Sequence, residues 1–435
     1  MLKFSPQTIP IKTIEEGGSA GRIDWDEFAL ALDQHAHACG ADEPVSVYVH
    51  LPFCPSRCLN CDRNTVVTHS LAEIDQYLAA LDQEMTLVTA RLGNGRELQQ
   101  LHLGGGTPNY LSETQIIRLM TIIERHFTIT EHTETSLDVS PKRSSRAQLA
   151  LLRGLGFRRI NFEVRDLDDE VQKAIGRSQS MSVLSDVYDN ARDFNFDALS
   201  MDLVYGLPQQ TLSSMKRSVA SILELAPDRL LCWSFSRQAG TFLHQRSLDP
   251  ASLPSLGDKV AMFNAIADTM QEAGYSWIGL DCFSKQTDPL WSARRERLVR
   301  RNWIGYTAME PDIVLGFGAG AISEMPGIVA QNHADISRWS DALWQDRLPI
   351  EDGCRISPEV AQQRALLSDL MCNMEVTGDV PADRDDAPEP LASLIERGYV
   401  EQPRAGHLVV TERGRFAMHQ AWGNTSPVAR WAAGF

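Results

Sequence analysis

Over about two thirds of the chain, short runs rich in β-branched and aromatic residues alternate with longer segments of helical periodicity. Val45 to His50 sets the pattern, with Val45, Val47 and Val49 on one face of an extended strand and Tyr48 and His50 on the other. From Ala72 to Arg91 a helical stretch follows, in which Ile74, Leu78, Leu81 and Met85 recur on one face. Leu98–Leu103, Thr135–Val139, Arg159–Val164, Ala198–Tyr205, Arg229–Ser236 and Trp277–Phe283 read as further strands. Helical patterns such as Ser182–Phe194 and Leu212–Leu225 lie between them. Repeated β-then-α units with short turns point to a parallel sheet, joined by right-handed crossovers. The expected fold class is α/β, with six of the seven candidate strands forming a partial (β/α)6 barrel. A complete eightfold barrel is the rival, but the units run out near Phe283. In either architecture, chemistry belongs at the C-terminal ends of the strands.

From about Ser284 the pattern changes. Arg300 to Trp303 and the Gly316–Ala321 stretch read as loop and packing structure. Glu359–Met374 and Pro388–Arg397 read as helices, and Leu408–Thr411 pairs with Tyr399-Val400 as a short strand pair. The expected organisation is an N-terminal extension over 1–44, a barrel over 45–283, and a smaller, mostly helical C-terminal domain over 284–435. That last domain has a winged-helix-like order of elements, but it lacks the basic stripe that DNA binding needs, so a structural or substrate-covering role is expected.

The formal charge of −16 argues against a nucleic-acid surface, though a few arginines in a cleft can still attract an anionic small molecule. No apolar run reaches the ~18 residues of a membrane helix, and Met1–Glu15 has no signal-peptide core. The expected location is the cytoplasm, with neither membrane nor nucleic acid as a partner. Cysteines there stay mostly reduced. Of the eight, Cys39, Cys232, Cys282, Cys354 and Cys372 are scattered and read as small buried hydrophobes.

The other three form Cys54-Pro-Ser-Arg-Cys58-Leu-Asn-Cys61, directly after the Tyr48 strand. Three thiolates at this spacing hold three corners of a four-iron cluster and leave one iron open to a small molecule. Zinc is the alternative, with His50 or His69 as a fourth ligand, because structural zinc sites are closed by four. One βα unit later comes Gly104-Gly105-Gly106-Thr107-Pro108, where glycines let a ligand approach and exposed N–H groups suit a carboxylate.

Together, Tyr48-Val-His-Leu-Pro-Phe-Cys54, the cysteine triplet, Gly-Gly-Gly-Thr-Pro and Asp202-Leu-Val-Tyr-Gly-Leu-Pro208 resemble the radical S-adenosylmethionine superfamily. Within it the chain is most similar to the oxygen-independent coproporphyrinogen III oxidase family. Gly154–Ile160, Leu223–Leu230, Arg301-Asn302, Gly305–Thr307, Ala321–Ser323 and Gln331-Asn332 extend that similarity towards the C-terminus. The resemblance implies a radical-SAM barrel, a [4Fe-4S] cluster on Cys54, Cys58 and Cys61, and S-adenosyl-L-methionine on the open iron. It also implies reductive cleavage to a 5′-deoxyadenosyl radical, with a flavodoxin or ferredoxin as electron donor. The first cofactor site would use Tyr48, Gly105, Asp138, Asp202 and Ile322, with Asp138 in place of a family Glu. A second site would use Asn60, Gly106, Thr107, Arg165, Arg177 and Ser236. Tyr48 and Arg177 are also the residues assigned to catalysis.

That second site departs from the family: Asn60 replaces Phe, Arg165 replaces Gln and Ser236 replaces Ala. A cation at Arg165 is expected to repel a second sulfonium and to attract a substrate carboxylate. Arg63 stands where the family has a fourth cysteine, and residues 17–25 lack its Gly-Pro-Arg-Tyr-Thr-Ser-Tyr-Pro stretch. The implied reaction is oxidative decarboxylation of porphyrinogen propionates in haem biosynthesis, on an anionic tetrapyrrole met by Arg177, Arg165, Arg300 or Arg301. The alternative is a paralogue acting on another tetrapyrrole or an unrelated substrate, by methyl transfer or anaerobic haem breakdown. A haem chaperone is a third reading, weakened because Gln331-Asn332-His333 is not the His-Asn-x-x-Tyr-Trp motif of such chaperones.

Overall fold

The structure is a computed structural model, and it describes residues 23–40, 43–309, 313–377 and 391–415. Most of the expected N-terminal extension, including residues 17–22, lies outside the described residues. Six strands make the centre of the sheet: β1 (Val45–Leu51), β2 (Arg96–Gly105), β3 (Glu134–Val139), β4 (Arg159–Arg165), β5 (Ala198–Tyr205) and β6 (Arg229–Ser234). They lie side by side in chain order, each parallel to the next. Right-handed crossovers between strands in unbroken order all fall on one face of the sheet. The helices therefore cover one side and leave a concave interior on the other.

Period-two alternation assigns residues to these sides. Val47, Val49, Leu101, Leu103, Ile160 and Phe162 are buried in the core under the helices. Tyr48, His102, Asp138, Asn161, Glu163 and Asp202 point the other way, so the interior of the first five strands is polar. The helices that follow β1 to β6 start on a repeated local signal. Ser70, Ser112, Ser145, Ser180, Thr211 and Ser255 each accept a hydrogen bond from the N–H three residues on, a cap worth about 1 kcal/mol.

The sheet does not close. Beyond β6, the expected single strand Trp277–Phe283 is a hairpin of β7 (Ser276–Ile278) and β8 (Cys282–Ser284), turned at Gly279 with φ of 54°. At the other edge the main sheet runs on past residue 283. There β9 (Val314–Phe317) adds in parallel to β1, and β10 (Ile322–Met325), β11 (Ile328–Asn332) and β12 (Ile350–Arg355) follow antiparallel. Of the Gly316–Ala321 stretch expected as loop and packing structure, Gly318–Ala321 turn the chain, whereas Gly316 and Phe317 close β9, a strand too short and too fully buried to show alternation. Gly316 itself is required there, since a Cβ would run into the backbone of Ile322.

After the helix Pro358–Asn373 come β13 (Glu375–Thr377), the helix Leu391–Glu396, β14 (Val400–Arg404) and β15 (His407–Val410). These last three strands form a small antiparallel sheet in the order β13-β15-β14. Its Val400 and Leu408 share one apolar cluster with Val204, Leu231 and Trp233, which lie on the inner faces of β5 and β6. The C-terminal elements thus cover the apolar end of the interior and leave the polar end to the cysteine loop. Among the described residues, no helix is long and apolar enough to cross a membrane.

Candidate active site at the cysteine loop

β1 leads directly into the cysteine segment, which the fold closes into a loop. Phe53–Cys54 pairs in parallel with Val66–Val67, and the Val66 N–H donates to Pro52 O at 2.8 Å. Five hydrogen bonds pin this loop over the strand ends. Leu59 N–H donates to Ile175 O at 2.9 Å. The Asn64 amide donates to Ala319 O at 3.1 Å and Ala334 O at 2.8 Å. Cys61 O accepts from His244 Nε2 at 2.7 Å and Gln245 Nε2 at 3.0 Å. On the loop, Cys54 Sγ lies 3.5 Å from Thr107 Oγ1, Cys61 Sγ 3.8 Å from Thr65 Oγ1, and Cys58 Sγ accepts from Arg177 Nη1 at 3.7 Å.

The glycine segment does something other than the sequence suggests. Two of the N–H groups expected to meet a ligand are spent on the cysteine loop: Gly106 N–H donates to Leu51 O at 2.7 Å and Thr107 N–H to Phe53 O at 2.9 Å. A Cβ on Gly106 would stand 2.7 Å from Pro52 C and from Phe53 O, and one on Gly105 would stand 2.9 Å from Leu51 O. These glycines let β2 lie directly against the root of the loop. Thr107 supports Cys54.

Behind the loop, six charged side chains meet, four of them buried and Arg165 and Arg177 partly so. Arg63 Nη2 bonds Glu163 Oε1 at 2.6 Å, and its Nη1 reaches Gly105 O at 2.5 Å and Asp138 Oδ2 at 3.5 Å. Arg165 Nη2 lies 3.1 Å from the same Glu163 oxygen, and its Nη1 lies 3.9 Å from Asp202 Oδ2. Arg177 Nη2 donates to Glu163 O at 2.9 Å and lies 3.5 Å from Glu163 Oε2. Three guanidiniums thus face the three carboxylates of Asp138, Glu163 and Asp202, whose side chains are at most 2% exposed. Burial alone would lower the Arg63 pKa, but Glu163 and then Asp138 outweigh it and hold the group charged. Arg165, expected to repel a second sulfonium and attract a substrate carboxylate, already faces two carboxylates of the chain itself. Glu163, the hub, was missed, although the alternation Arg159, Asn161, Glu163, Arg165 along β4 carried the signal.

Tyr48 stacks on His102, with centroids 5.9 Å apart and planes at 12°, and His102 Nδ1 meets Ser136 Oγ at 2.8 Å. His50 Nε2 faces the carbonyl of Asn64 at 2.9 Å and so carries the proton, which leaves Nδ1 to accept from Tyr48 OH at 3.0 Å. Burial pushes His50 down to about 4, so the ring is neutral at physiological pH. Both ring nitrogens are committed, and His69 Nδ1 lies 3.2 Å from Tyr110 OH. Ile322 shares a cross-sheet row with Tyr48, through the bare backbone of Gly316. Asn60 is buried within the cysteine loop, and Ser236 is half-buried just beyond β6.

Arg300 and Arg301 lie elsewhere. Arg301 pairs with Asp281 at 3.3 Å and stacks on Tyr306 at 4.6 Å, while Arg300 lies 3.3 Å from Asp369. The adjacent Asn302 donates to Gln100 at 2.8 Å, in the middle of β2. Both arginines therefore line a separate cavity of about 410 Å³, with Glu324 and Arg364, rather than the region of the cysteine loop.

The residues present fit the implied cofactors. Burial pushes Cys54 up to about 12, so this thiol ionises only beside a strong positive charge, which iron provides. Among the described residues, no group of three or more His, Cys, Asp or Glu converges on the position of a single ion. A mononuclear zinc site needs such convergence, whereas a cubane binds each cysteine through a different iron. For S-adenosylmethionine, which carries an ammonium and a carboxylate, the interior offers Asn161 Oδ1 and Arg177 Nε, both buried and without a hydrogen-bond partner among the described residues. The sequence profile of the Radical SAM superfamily matches residues 48–222. Oxygen-independent coproporphyrinogen III oxidase from Synechocystis is 35% identical over 334 residues, covering 77% of this chain and 72% of that protein. Its Escherichia coli K12 counterpart is 34% identical over 384 residues, covering 86% and 83%. The solved structure of coproporphyrinogen III oxidase from Escherichia coli, a radical SAM enzyme, superposes with a TM-score of 0.83 at 31% identity over 92% of both chains. With relatives more than 30% identical over more than two thirds of their length, the chain belongs to the oxygen-independent coproporphyrinogen III oxidase family of radical SAM enzymes, whose cofactors are a [4Fe-4S] cluster and S-adenosylmethionine.

Proposed function

We propose that this enzyme oxidatively decarboxylates propionate side chains of coproporphyrinogen III to vinyl groups, yielding protoporphyrinogen IX. The observation that carries this reading is likeness across 92% of both chains to the Escherichia coli enzyme. When bound, the reduced cluster and S-adenosylmethionine would supply a 5′-deoxyadenosyl radical able to take a hydrogen atom from a propionate, and loss of carbon dioxide would then pass one electron to an external one-electron acceptor. Cys54, Cys58 and Cys61 hold the cluster. Asp138, Asp202 and Arg177 orient the cofactor's charged ends in a wall where water is scarce and electrostatic interactions are strong. The Tyr48–His50–Asn64 chain fixes the ring of Tyr48 beside them. Arg165 and Arg177, with side chains 14% and 16% exposed, are the cluster's most accessible cations for a substrate carboxylate. A flavodoxin or ferredoxin supplies the electron.

One observation favours a paralogue acting on another substrate. Arg63 and Arg165, the two cations that depart from the family pattern, meet on the same carboxylate of Glu163, so this part of the interior has been rebuilt as a unit. Anaerobic incubation with coproporphyrinogen III, S-adenosylmethionine and a reductant, followed by mass spectrometry, separates the two. Loss of carbon dioxide from the substrate supports the oxidase. Formation of 5′-deoxyadenosine without it overturns the oxidase reading, and a methylated product identifies a methyltransferase.

A further inference from the structure

Glu163 sits on a backbone irregularity that has a use. Between Phe162 and Arg165, β4 spends one more residue than β5 spends from Met201 to Leu203, and Arg165 takes a left-handed φ of 73°. Such a bulge interrupts the ladder and re-aims the residues within it. Here the carbonyl of Glu163 accepts from Arg177 at 2.9 Å, while its carboxylate faces Arg177, Arg63 and Arg165. Arg177 is held from behind as well, by its own N–H donating to Gln172 O at 2.9 Å. The other end of that guanidinium donates to Cys58 Sγ. A strained, bulged strand therefore fixes a cation on a thiolate of the cysteine loop, and a second cation, Arg63, two residues beyond Cys61.

We propose that Glu163 is a positioning residue that sets the reduction potential of the cluster by two opposed means: its backbone carbonyl holds Arg177 on Cys58, and its carboxylate offsets the charge of Arg177, Arg63 and Arg165 behind the cysteine loop. The inference rests on the reading that Cys54, Cys58 and Cys61 carry that cluster. Hydrogen bonds to cluster sulfurs and nearby charge are the protein's means of tuning such a potential. Reduction adds a negative charge, so Arg177 favours the reduced state and the Glu163 carboxylate opposes it. With Glu163→Gln the backbone carbonyl still holds Arg177, and the opposing charge is gone.

The experiment is an EPR-monitored redox titration of anaerobically reconstituted protein without S-adenosylmethionine, with iron counted in every sample. Glu163→Gln should raise the potential and Arg177→Gln should lower it. Each shift should correspond to about a threefold to tenfold change in the reduction equilibrium, where tenfold is about 59 mV for one electron. Glu163→Asp, which keeps the charge, should stay near the unmodified value. A purely structural role would change iron content without moving the two potentials in opposite directions. Loaded variants with unshifted potentials, or potentials that shift in the same direction, overturn the inference alone. Unmodified protein that takes up no iron overturns both it and the proposed function. If Glu163→Gln does not load, Arg177→Gln against Glu163→Asp decides, and equal potentials in that pair refute the proposal.

Discussion

Replacing Gly106 by alanine isolates what the glycine segment does. Gly106 has no positive φ, so an alanine fits its backbone, and the whole effect is contact. The new Cβ would lie 2.7 Å from Pro52 C, Pro52 O and Phe53 O. These are backbone atoms at the root of the cysteine loop, so no side-chain rotation can relieve the clash. Either the loop moves or the 2.7 Å hydrogen bond from Gly106 N–H to Leu51 O is lost. Overpacking of this kind costs about 1–3 kcal/mol, equivalent to about a 5- to 150-fold loss in population of the closed loop. Gly154 is the control, because it ends the helix Arg146–Gly154 and its Cβ would meet nothing within 4 Å. There alanine should stabilise, by about 0.5–1 kcal/mol. The assay is iron per chain after anaerobic reconstitution, with thermal unfolding of the same samples. Gly106→Ala should load less iron and melt earlier, whereas Gly154→Ala should load fully and melt no earlier than the unmodified protein. Full iron and an unchanged melting midpoint in Gly106→Ala would refute the idea that the segment exists to admit the loop.

Three further outcomes are expected. Anaerobically reconstituted protein should hold about four irons per chain, Cys54→Ala, Cys58→Ala and Cys61→Ala should each abolish them, and Cys39, Cys232, Cys282, Cys354 and Cys372 should be individually dispensable; stoichiometric zinc in place of iron would count against the cluster. Equilibrium dialysis with labelled S-adenosylmethionine should find one tight site per chain, and Arg165→Gln, which releases Glu163 and Asp202 from their shared cation, should strengthen binding of a second copy; two tight sites in the unmodified protein would contradict this. Burial lowers His50 from 6.5 to about 4, so the unfolded chain takes up the proton first, and stability should fall as pH drops through that window; a His50→Gln variant with an equally steep loss would show that His50 is not the source.

Local pattern was enough to read the parallel core. The alternation of Val45, Val47 and Val49 against Tyr48 and His50, and the helical spacing of Ile74, Leu78, Leu81 and Met85, report which side of each element is buried. Short covalent spacing likewise put Cys54, Cys58 and Cys61 on one loop whatever the rest of the chain did. Periodicity says nothing, however, about which elements pair. β9 to β12 were missed because β9 and β11, with every residue buried, offer no alternation, and the place of all four at the β1 edge is decided by contacts between distant segments.

The charge cluster is the clearest case of what sequence alone leaves open. Arg63 can be picked out as standing where the family has a fourth cysteine and Arg165 as a cation in place of Gln, but neither pattern names a partner. Their common partner, Glu163, stands 100 residues from Arg63, on a strand that has to bulge before its carbonyl can take Arg177. An ion pair of this range lies outside any local window, and whether a buried cation is free or neutralised depends on who shares its cavity. The sequence by itself determined the parallel sheet, the cysteine loop and the family; only the tertiary structure decided how the charges behind that loop are balanced, because folding alone brings their partners together.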